Sequence, residues 1–384
     1  MNLTLHLMKM NPKFKSFFIL FLFFYTFSLA QNRTLLEQKI KLANIEMYEN
    51  PDKVIKVGFE ILTLAADDID LKIKANKLIS DGYSSKRDYQ KSLQYVLKAI
   101  ELLPKSSNKL LKISIATKAG IQYHQLKIYQ KAITYLDDAE TLCLNYPEKD
   151  SIKSFLGVNY VVRGLIYKEK LNCDIAISFF DKAISELIAA NKPLENASRI
   201  SIAKYNKGNC FMLLAKNDEA IASFNEALNF AKTVKASSLQ AFAQKGIAQV
   251  YTLNGNYKQA IFLLNQAYSN AQNVNDLVLN QEIYKGLAEN YLAVNNLEHY
   301  YEFQRKYTNT QTQVKKNERV SLSNLLQDNL NSMEKESKFE NSNFWFLLLF
   351  ICSLFVLTFT FFSIKKLKTE IANLNTKIED FYQS

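Results

Sequence analysis

The stretch GNCFMLLAKNDEAIASFNEA, residues 208–227, decides the fold of this chain. It places small residues at Gly208, Ala220 and Ala227 and aromatic residues at Phe211 and Phe224, around the polar break LAKND. Small residues allow two antiparallel helices to approach closely, and aromatic side chains fill the space beside them. The stretch therefore predicts a helical hairpin. One such hairpin cannot bury its own apolar face, so it requires neighbours of the same kind.

The same spacing recurs on both sides of this stretch, in three further good copies and two weaker ones. The good copies are Gly120, Tyr123, Ala132, Leu136, Ala139, then Gly164, Tyr167, Ala176, Phe180, Ala183, and then Ala248, Tyr251, Ala260, Leu264, Ala267. The weaker copies are Ser80, Tyr83, Ser92, Val96, Ala99 and Ala288, Tyr291, Tyr300, Gln304, Tyr307. The aligned copies start at residues 73, 113, 157, 201, 241 and 281, and a degraded copy starts near residue 35. We expect the small residues of the good copies to pack where two helices touch.

This pattern resembles the tetratricopeptide repeat, a helix pair with a small residue and a tyrosine on its first helix and two alanines around an aromatic residue on its second. The tryptophan of the family is absent, and its position holds Asn76, Ala116, Tyr160, Lys204, Gln244 and Tyr284 in successive copies. The copies are also 40 or 44 residues apart, whereas the family repeats every ~34 residues. We expect the extra residues to lengthen the second helix of each pair.

The resemblance implies an all-α fold, a solenoid of antiparallel helix pairs over residues 31–310. The composition agrees with this class, because only 9 Gly and 5 Pro occur among the 384 residues and apolar residues do not alternate as in strands. An irregular helical bundle is the alternative.

Residues 1–30 have the layout of a signal peptide. Lys9, Lys13 and Lys15 form a basic start, residues 17–29 form an apolar run, and small residues precede a cleavage point after Ala30. The apolar run is shorter than the ~20 residues of a membrane span. We therefore predict export of the chain, with an uncleaved anchor as the alternative.

An uncharged apolar run of 21 residues, at positions 344–364, predicts one transmembrane helix after a polar helical linker at positions 311–343. Trp345 marks one end of the run, and Lys365, Lys366 and Lys368 mark the other end as cytoplasmic. This topology places the repeats outside the cytoplasm, in a single-pass inner-membrane protein. A buried helix of a soluble core is the alternative.

The tail, residues 365–384, continues an apolar pattern with steps of three and four residues. The residues of this pattern are Ile364, Leu367, Ile371, Leu374, Ile378 and Phe381. Such steps are typical of a coiled-coil seam, which predicts a homodimer that pairs through the tail. A lone amphipathic helix on the membrane surface is the alternative.

Catalytic chemistry has few candidates in this chain. No His-x-x-x-His, Cys-x-x-Cys, Gly-x-Ser-x-Gly or phosphate-binding glycine loop occurs, so we predict no enzyme activity, no cofactor and no metal site. Cys143, Cys173 and Cys210 lie at unrelated repeat positions, and we interpret them as small packing residues. The net charge of +11 is interleaved along helical faces, which does not favour nucleic acid as a partner.

The resemblance also implies a curved solenoid whose concave wall is formed by the first helices and binds a peptide or protein segment. The residues at the family's inward positions are Lys77, Asp81, Thr117, His124, Lys168, Tyr205, Asn209, Lys245, Gln249, Lys285 and Glu289. Their charged, amide and hydroxyl groups suit hydrogen bonding to a peptide. Any one of them is equally consistent with a solvated surface, and we interpret His124 as a solvated histidine.

The complete layout resembles bacterial sensors in which exported tetratricopeptide repeats precede one membrane span and a signalling coil. Those sensors continue into a histidine kinase or a LuxR-type helix-turn-helix, for which residues 365–384 leave no room. The sequence therefore predicts a membrane-anchored protein that binds a peptide or protein and signals through a dimerising tail. The alternatives are a truncated or partner-dependent regulator of those two types, a passive envelope scaffold and, more remotely, an enzyme.

Overall fold

The computed structural model describes residues 33–44, 46–47, 50–272, 274 and 276–383. Within these ranges it describes only the backbone of residues 317–344, 346 and 374–383. The predicted signal peptide, residues 1–30, lies outside the described residues. The described residues divide into two compact units, one ending at Ser321 and the other beginning at Leu322.

The described residues are helical and contain no strand, which confirms the predicted all-α class. Successive helices form antiparallel pairs, from α1 with α2 to α13 with the first turns of α14, and apolar clusters join the two helices of these terminal pairs. The helices are α1 (33–44), α2 (Pro51–Leu64), α3 (Ile69–Ser85), α4 (Tyr89–Leu102), α5 (Lys109–Gln125), α6 (Tyr129–Leu144), α7 (Lys149–Glu169), α8 (Cys173–Ala189), α9 (Pro193–Leu213), α10 (Asn217–Thr233), α11 (Ser237–Leu253), α12 (Tyr257–Ala271), α13 (Leu277–Ala293) and α14 (Leu297–Gln383).

The turns within the pairs, from α3–α4 onward, share one backbone shape. One residue of each turn is in the left-handed region, with φ between 57° and 73°: Arg87, Lys127, Leu171, Ala215, Gly255 and Asn295. The next residue donates its backbone N–H to the carbonyl five residues earlier, as from Asn256 to Tyr251 at 2.8 Å, which is the bond of a Schellman motif. Of the six, only Gly255 adopts this φ without the steric cost of a Cβ atom. These turns end each first helix at a fixed register, so successive pairs have similar geometry.

The pairs stack along a curve, and the first helices lie on its inner side. Neighbouring first helices, α3, α5, α7, α9, α11 and α13, contact one another along the stack. Neighbouring second helices lack contacts of comparable extent. Because the elements that remain in contact along a curved stack are those at its smaller radius, the first helices form the concave wall.

The extra residues of the long copies extend the first helix, so the prediction of a longer second helix was wrong for them. α7 and α9, in the copies spaced 44 residues from the previous one, each have 21 residues, whereas α3, α5, α11 and α13 each have 17. The additional turns lie at the amino-terminal ends of α7 and α9. Ile152 and Ala197 on these turns are buried, so apolar contacts stabilise them.

The interior is a row of separate apolar clusters along the stack, as expected for a solenoid. In one of them, the fully buried ring of Phe224 on α10 lies against Gly208 of α9 and Gly246 of α11. A Cβ atom at either glycine would lie 2.7 Å from the ring, so both glycines are needed for this ring to fit. The small residues of the good copies are all buried: Gly120, Ala132, Ala139, Gly164, Ala176, Ala183, Gly208, Ala220, Ala227, Ala248, Ala260 and Ala267.

The second unit contains the segment Leu347–Asn373, which has a mean hydropathy of 2.5 and is long and apolar enough to cross a membrane. The apolar part of this segment is entirely unburied, and Phe355 exposes 76% of its surface. Water does not stabilise an exposed apolar helix of this length, so it requires lipid or a partner around it. Ile364, Leu367 and Ile371 of the predicted seam are exposed. The side chains of Leu374, Ile378 and Phe381 lie outside the described residues.

Candidate functional site

The residues predicted to bind a partner all lie on the first helices. They are Lys77 and Asp81 on α3, Thr117 and His124 on α5, Lys168 on α7, Tyr205 and Asn209 on α9, Lys245 and Gln249 on α11, and Lys285 and Glu289 on α13. Several of their polar groups contact the neighbouring first helix. Part of the predicted set therefore joins repeats to each other.

Asp81 forms the amino-terminal junction of the wall with two lysines. Its Oδ2 lies 2.7 Å from Lys77 Nζ, and its Oδ1 lies 2.5 Å from Nζ of the buried Lys118 on α5. Burial favours the neutral carboxyl, but Lys118 and Lys77 outweigh it and lower the pKa of Asp81 to about 2. The carboxylate is therefore charged at neutral pH and holds α3 against α5. The sequence alignment did not select Lys118, because a repeat frame does not show which residues face the next repeat.

Gln122 lies in the same junction between α3 and α5, and the repeat alignment did not select it either. Its side chain is fully buried, and neither atom of its amide has a hydrogen-bond partner among the described residues. It lies between Lys118, which pairs with Asp81, and Gln125, which accepts a 3.1 Å hydrogen bond from Ser84 Oγ of α3. An ordered water is the usual partner of such a buried amide.

His124 is buried, so its interpretation as a solvated histidine was wrong. Its Nε2 lies 3.2 Å from Oε1 of Glu169 on α7, and Tyr129 donates a 2.6 Å hydrogen bond to Oε2 of the same carboxylate. Burial opposes the charge on Glu169, but the nearby His124 ring and the Tyr129 hydroxyl outweigh it and lower the pKa of this carboxyl. Between α7 and α9, Lys168 donates a 2.6 Å hydrogen bond to the side chain of Asn206. Both side chains thus stabilise contacts between repeats.

Lys245 is also occupied by contacts within the wall. It is only 4% exposed and forms an ion pair with Glu282 of α13. Its Nζ lies 5.5 Å from the centre of the Tyr205 ring on α9 and 5.9 Å from that of Phe242. Burial lowers the pKa of Lys245, but Tyr205 and Glu282 outweigh that effect and raise it. The lysine therefore links three neighbouring first helices and is charged.

Asn209 and Gln249 are the predicted wall residues that remain available near the centre. Both are half-buried, and the structure gives neither side chain a hydrogen-bond partner. They lie one turn beyond Tyr205 and Lys245, whose side chains contact each other across α9 and α11. The two amides therefore occupy corresponding positions on the adjacent first helices α9 and α11.

The other predicted residues are less suited to bind a ligand. Thr117 is buried and donates its hydroxyl to the carbonyl of Ile113 on its own helix at 2.9 Å. Lys285 and Glu289 are exposed and lie 3.6 Å apart near the carboxyl-terminal end of the wall. The candidate site therefore centres on Asn209 and Gln249.

A family model described as tetratricopeptide repeat matches residues 199–273, which contain most of α9 to α12. This match confirms the resemblance to tetratricopeptide repeats seen in the sequence, over the two helix pairs α9–α10 and α11–α12. No curated protein matches the sequence.

Several solved structures share the fold. A Rap protein complexed with competence and sporulation factor has a TM-score of 0.54 and 12% identity, covering 73% of this chain and 77% of that one. NprR in complex with its cognate peptide NprX has a TM-score of 0.51 and 14% identity, covering 75% and 78%. A signal-transduction ATPase with a tetratricopeptide repeat sensor, from Pyrococcus horikoshii, has a TM-score of 0.53 and 16% identity, covering 71% of this chain and 40% of that one. At these identities the likeness concerns the fold.

Proposed function

We propose that this protein binds an extended segment of a peptide or protein on its concave wall, at Asn209 and Gln249. The observation that supports this most is a pair of amide side chains on adjacent first helices, at the centre of the wall, without partners of their own. A side-chain amide both donates and accepts hydrogen bonds, which matches the backbone of an extended peptide. The Rap and NprR structures, whose fold is similar, each contain a bound factor or peptide.

The central part of the wall leaves few charged groups free for a ligand. Leu165, Ile202 and Phe242 on the first helices α7, α9 and α11 are half-buried and pack against apolar clusters of the stack. The nearby cations are already engaged, because Lys168 bonds to Asn206 and Lys245 pairs with Glu282. The ligand we propose is therefore a segment held by its backbone, with little demand for charge.

The wall is tested with peptides selected from a random display library on the full-length protein in nanodiscs. We expect the double variant Asn209→Ala with Gln249→Ala to lower the affinity for the selected peptides by about 10-fold or more. The reason is that two hydrogen bonds contribute about 0.5–1.5 kcal/mol each. Binding is measured by fluorescence anisotropy with labelled peptide. The double variant Lys285→Ala with Glu289→Ala is the matched control. An equal loss of peptide affinity in the two double variants would count against this site.

We further propose that the segment Leu347–Asn373 contains a membrane span that tethers the repeats outside the cytoplasm. Its exposed apolar side chains support this, and Lys365, Lys366 and Lys368 at its end support a cytoplasmic tail. The basic and apolar start of the chain, residues 1–30, supports export of the repeats.

This topology predicts a defined protection pattern. Protease added to intact spheroplasts should digest the repeats and leave a tag after Ser384 intact, because the membrane protects the tail. Immunoblotting of the tag and of a repeat epitope measures both outcomes, with lysed spheroplasts as the control. Protected repeats together with a digested tag would invert the proposed orientation.

We propose that the tail pairs two copies and transmits the state of the wall. The exposed residues Ile364, Leu367 and Ile371 follow the spacing of a coiled-coil seam, which supports this. In membranes, with Cys352 replaced by serine, Leu367→Cys should form disulfide-linked dimers readily and Lys368→Cys should not. Equal crosslinking at the two positions would instead indicate a passive, membrane-tethered scaffold. Non-reducing electrophoresis measures the dimer.

A further inference from the structure

An ion pair connects two parts of the solenoid that are far apart in the chain. Arg87 lies in the turn between α3 and α4, and Asp276 caps the amino-terminal end of α13. Nη2 of Arg87 lies 2.7 Å from Oδ1 and 2.6 Å from Oδ2 of Asp276, across a separation of 189 residues. Four helix pairs, α5 to α12, lie between these two points.

This contact has a consequence for the shape of the wall. The first helices from α3 to α13 must curl through a full turn for the two residues to meet. Packed helices have axes about 8–10 Å apart, and each helix is about 10–12 Å wide. Six first helices at that spacing around one turn leave a channel of at most roughly 10 Å across. Such a channel accepts one extended chain and excludes a folded domain, and it is narrower than a helix with its side chains.

We propose that Arg87 and Asp276 form a clasp that closes the superhelix and restricts the concave wall to unfolded segments. This inference deepens the proposed function, because it defines the class of partner that reaches Asn209 and Gln249. The clasp also makes access to the wall conditional, since a bulky ligand enters only while the ion pair is open.

The contact between Arg87 and Asp276 is weak enough to open reversibly. None of the apolar clusters of the described residues joins α3 or α4 to α13. The side chain of Arg87 is 42% exposed, and ion pairs of this kind are weak and screened by salt. Opening leaves the cap of α13 intact, because Asp276 still accepts hydrogen bonds from the backbone N–H groups of Val278 and Leu279 at 3.0 and 3.1 Å.

The test measures access to the wall without any ligand. Asn209→Cys is introduced into the full chain with Cys352→Ser, and the parent without Asn209→Cys gives the background from the three buried cysteines. The new thiol is labelled in nanodiscs with N-ethylmaleimide or with a 5-kDa polyethylene glycol maleimide. In the closed solenoid the small reagent should react freely and the large one slowly.

Arg87→Gln should raise the rate of labelling by the large reagent about threefold or more, with no change for the small one, since only an ion pair is removed. Raising the salt concentration should have the same effect on the unsubstituted clasp. Lys127→Gln is the matched control, because Lys127 has the same φ of 60° in the next turn and an exposed side chain.

Equal rates for the large reagent in the wild type, Arg87→Gln and Lys127→Gln would overturn the clasp. That result would leave the peptide-binding proposal standing if the selected peptides still bind at Asn209 and Gln249. Conversely, slow labelling that Arg87→Gln relieves would support the clasp even if no peptide binds.

Discussion

Phe224→Ala is expected to lower the free energy of unfolding by about 3–5 kcal/mol, because it removes a fully buried ring and leaves a cavity. Gly208 and Gly246 cannot fill that space, since neither carries a side chain and both lie on helices fixed by other contacts. Urea unfolding of the full chain in detergent, followed by circular dichroism, measures the loss. Because repeats stabilise their neighbours, amide exchange should also increase in the adjacent helices α9 to α12.

Phe211→Ala is the control for this prediction, because its ring is only half-buried in the same cluster. We expect a clearly smaller loss for this variant. A loss below about 1 kcal/mol for Phe224→Ala would be too small for a core aromatic residue. That result would contradict the alignment of residues 208–227 that underlies the whole fold.

Asp81→Asn is expected to destabilise the protein by about 3–5 kcal/mol, because it leaves the buried Lys118 without its carboxylate. Lys77 does not compensate, since it is also a cation and also pairs with Asp81. The double variant Asp81→Asn with Lys118→Met should recover most of the loss, because no unpaired buried charge remains. The same urea titration measures both variants. A single variant as stable as the wild type would show that this pair does not hold α3 to α5.

The pair also predicts a pH dependence. The pKa of Asp81 is lowered from 3.8 to about 2 in the folded protein. A carboxyl whose pKa is lowered by folding contributes stability that is complete well above its unfolded pKa. This contribution is lost as the pH falls through the folded pKa, so the difference between the wild type and Asp81→Asn should shrink between roughly pH 5 and pH 2. A difference that is constant over this range would exclude a charged Asp81 as its cause.

The repeats could be predicted from the sequence because each packing position requires a particular type of residue. Gly208, Ala220 and Ala227 recur at fixed spacings in the other copies, and spacing alone assigns a residue to the inside of a helix pair. The polar break LAKND is local in the same way, since the turn there depends on a few residues around the left-handed Ala215. The extra turns of α7 and α9 were assigned to the wrong helix, because a change in repeat length does not show where the residues are added.

The contacts of the wall could not be predicted in the same way. The repeat frame placed Lys245 and His124 on the inner side, but their partners Glu282 and Glu169 belong to the next repeat. Which side chains meet there depends on the rotation from one repeat to the next, which no local pattern specifies. The Arg87–Asp276 pair is the hardest to predict, because its formation depends on every rotation between repeats over a separation of 189 residues.

Site-specific photocrosslinking tests whether the concave wall holds a peptide segment. Benzoylphenylalanine replaces the half-buried Phe242 on the inner helix α11 or the exposed Lys232 on the second helix α10, which leaves Asn209 and Gln249 in place. A selected peptide is added to the full chain in nanodiscs, and mass spectrometry identifies the crosslinked residue. We expect a peptide adduct at position 242 that an excess of unlabelled peptide abolishes, and none at position 232. An adduct at position 232 without one at position 242 would contradict binding on the concave wall.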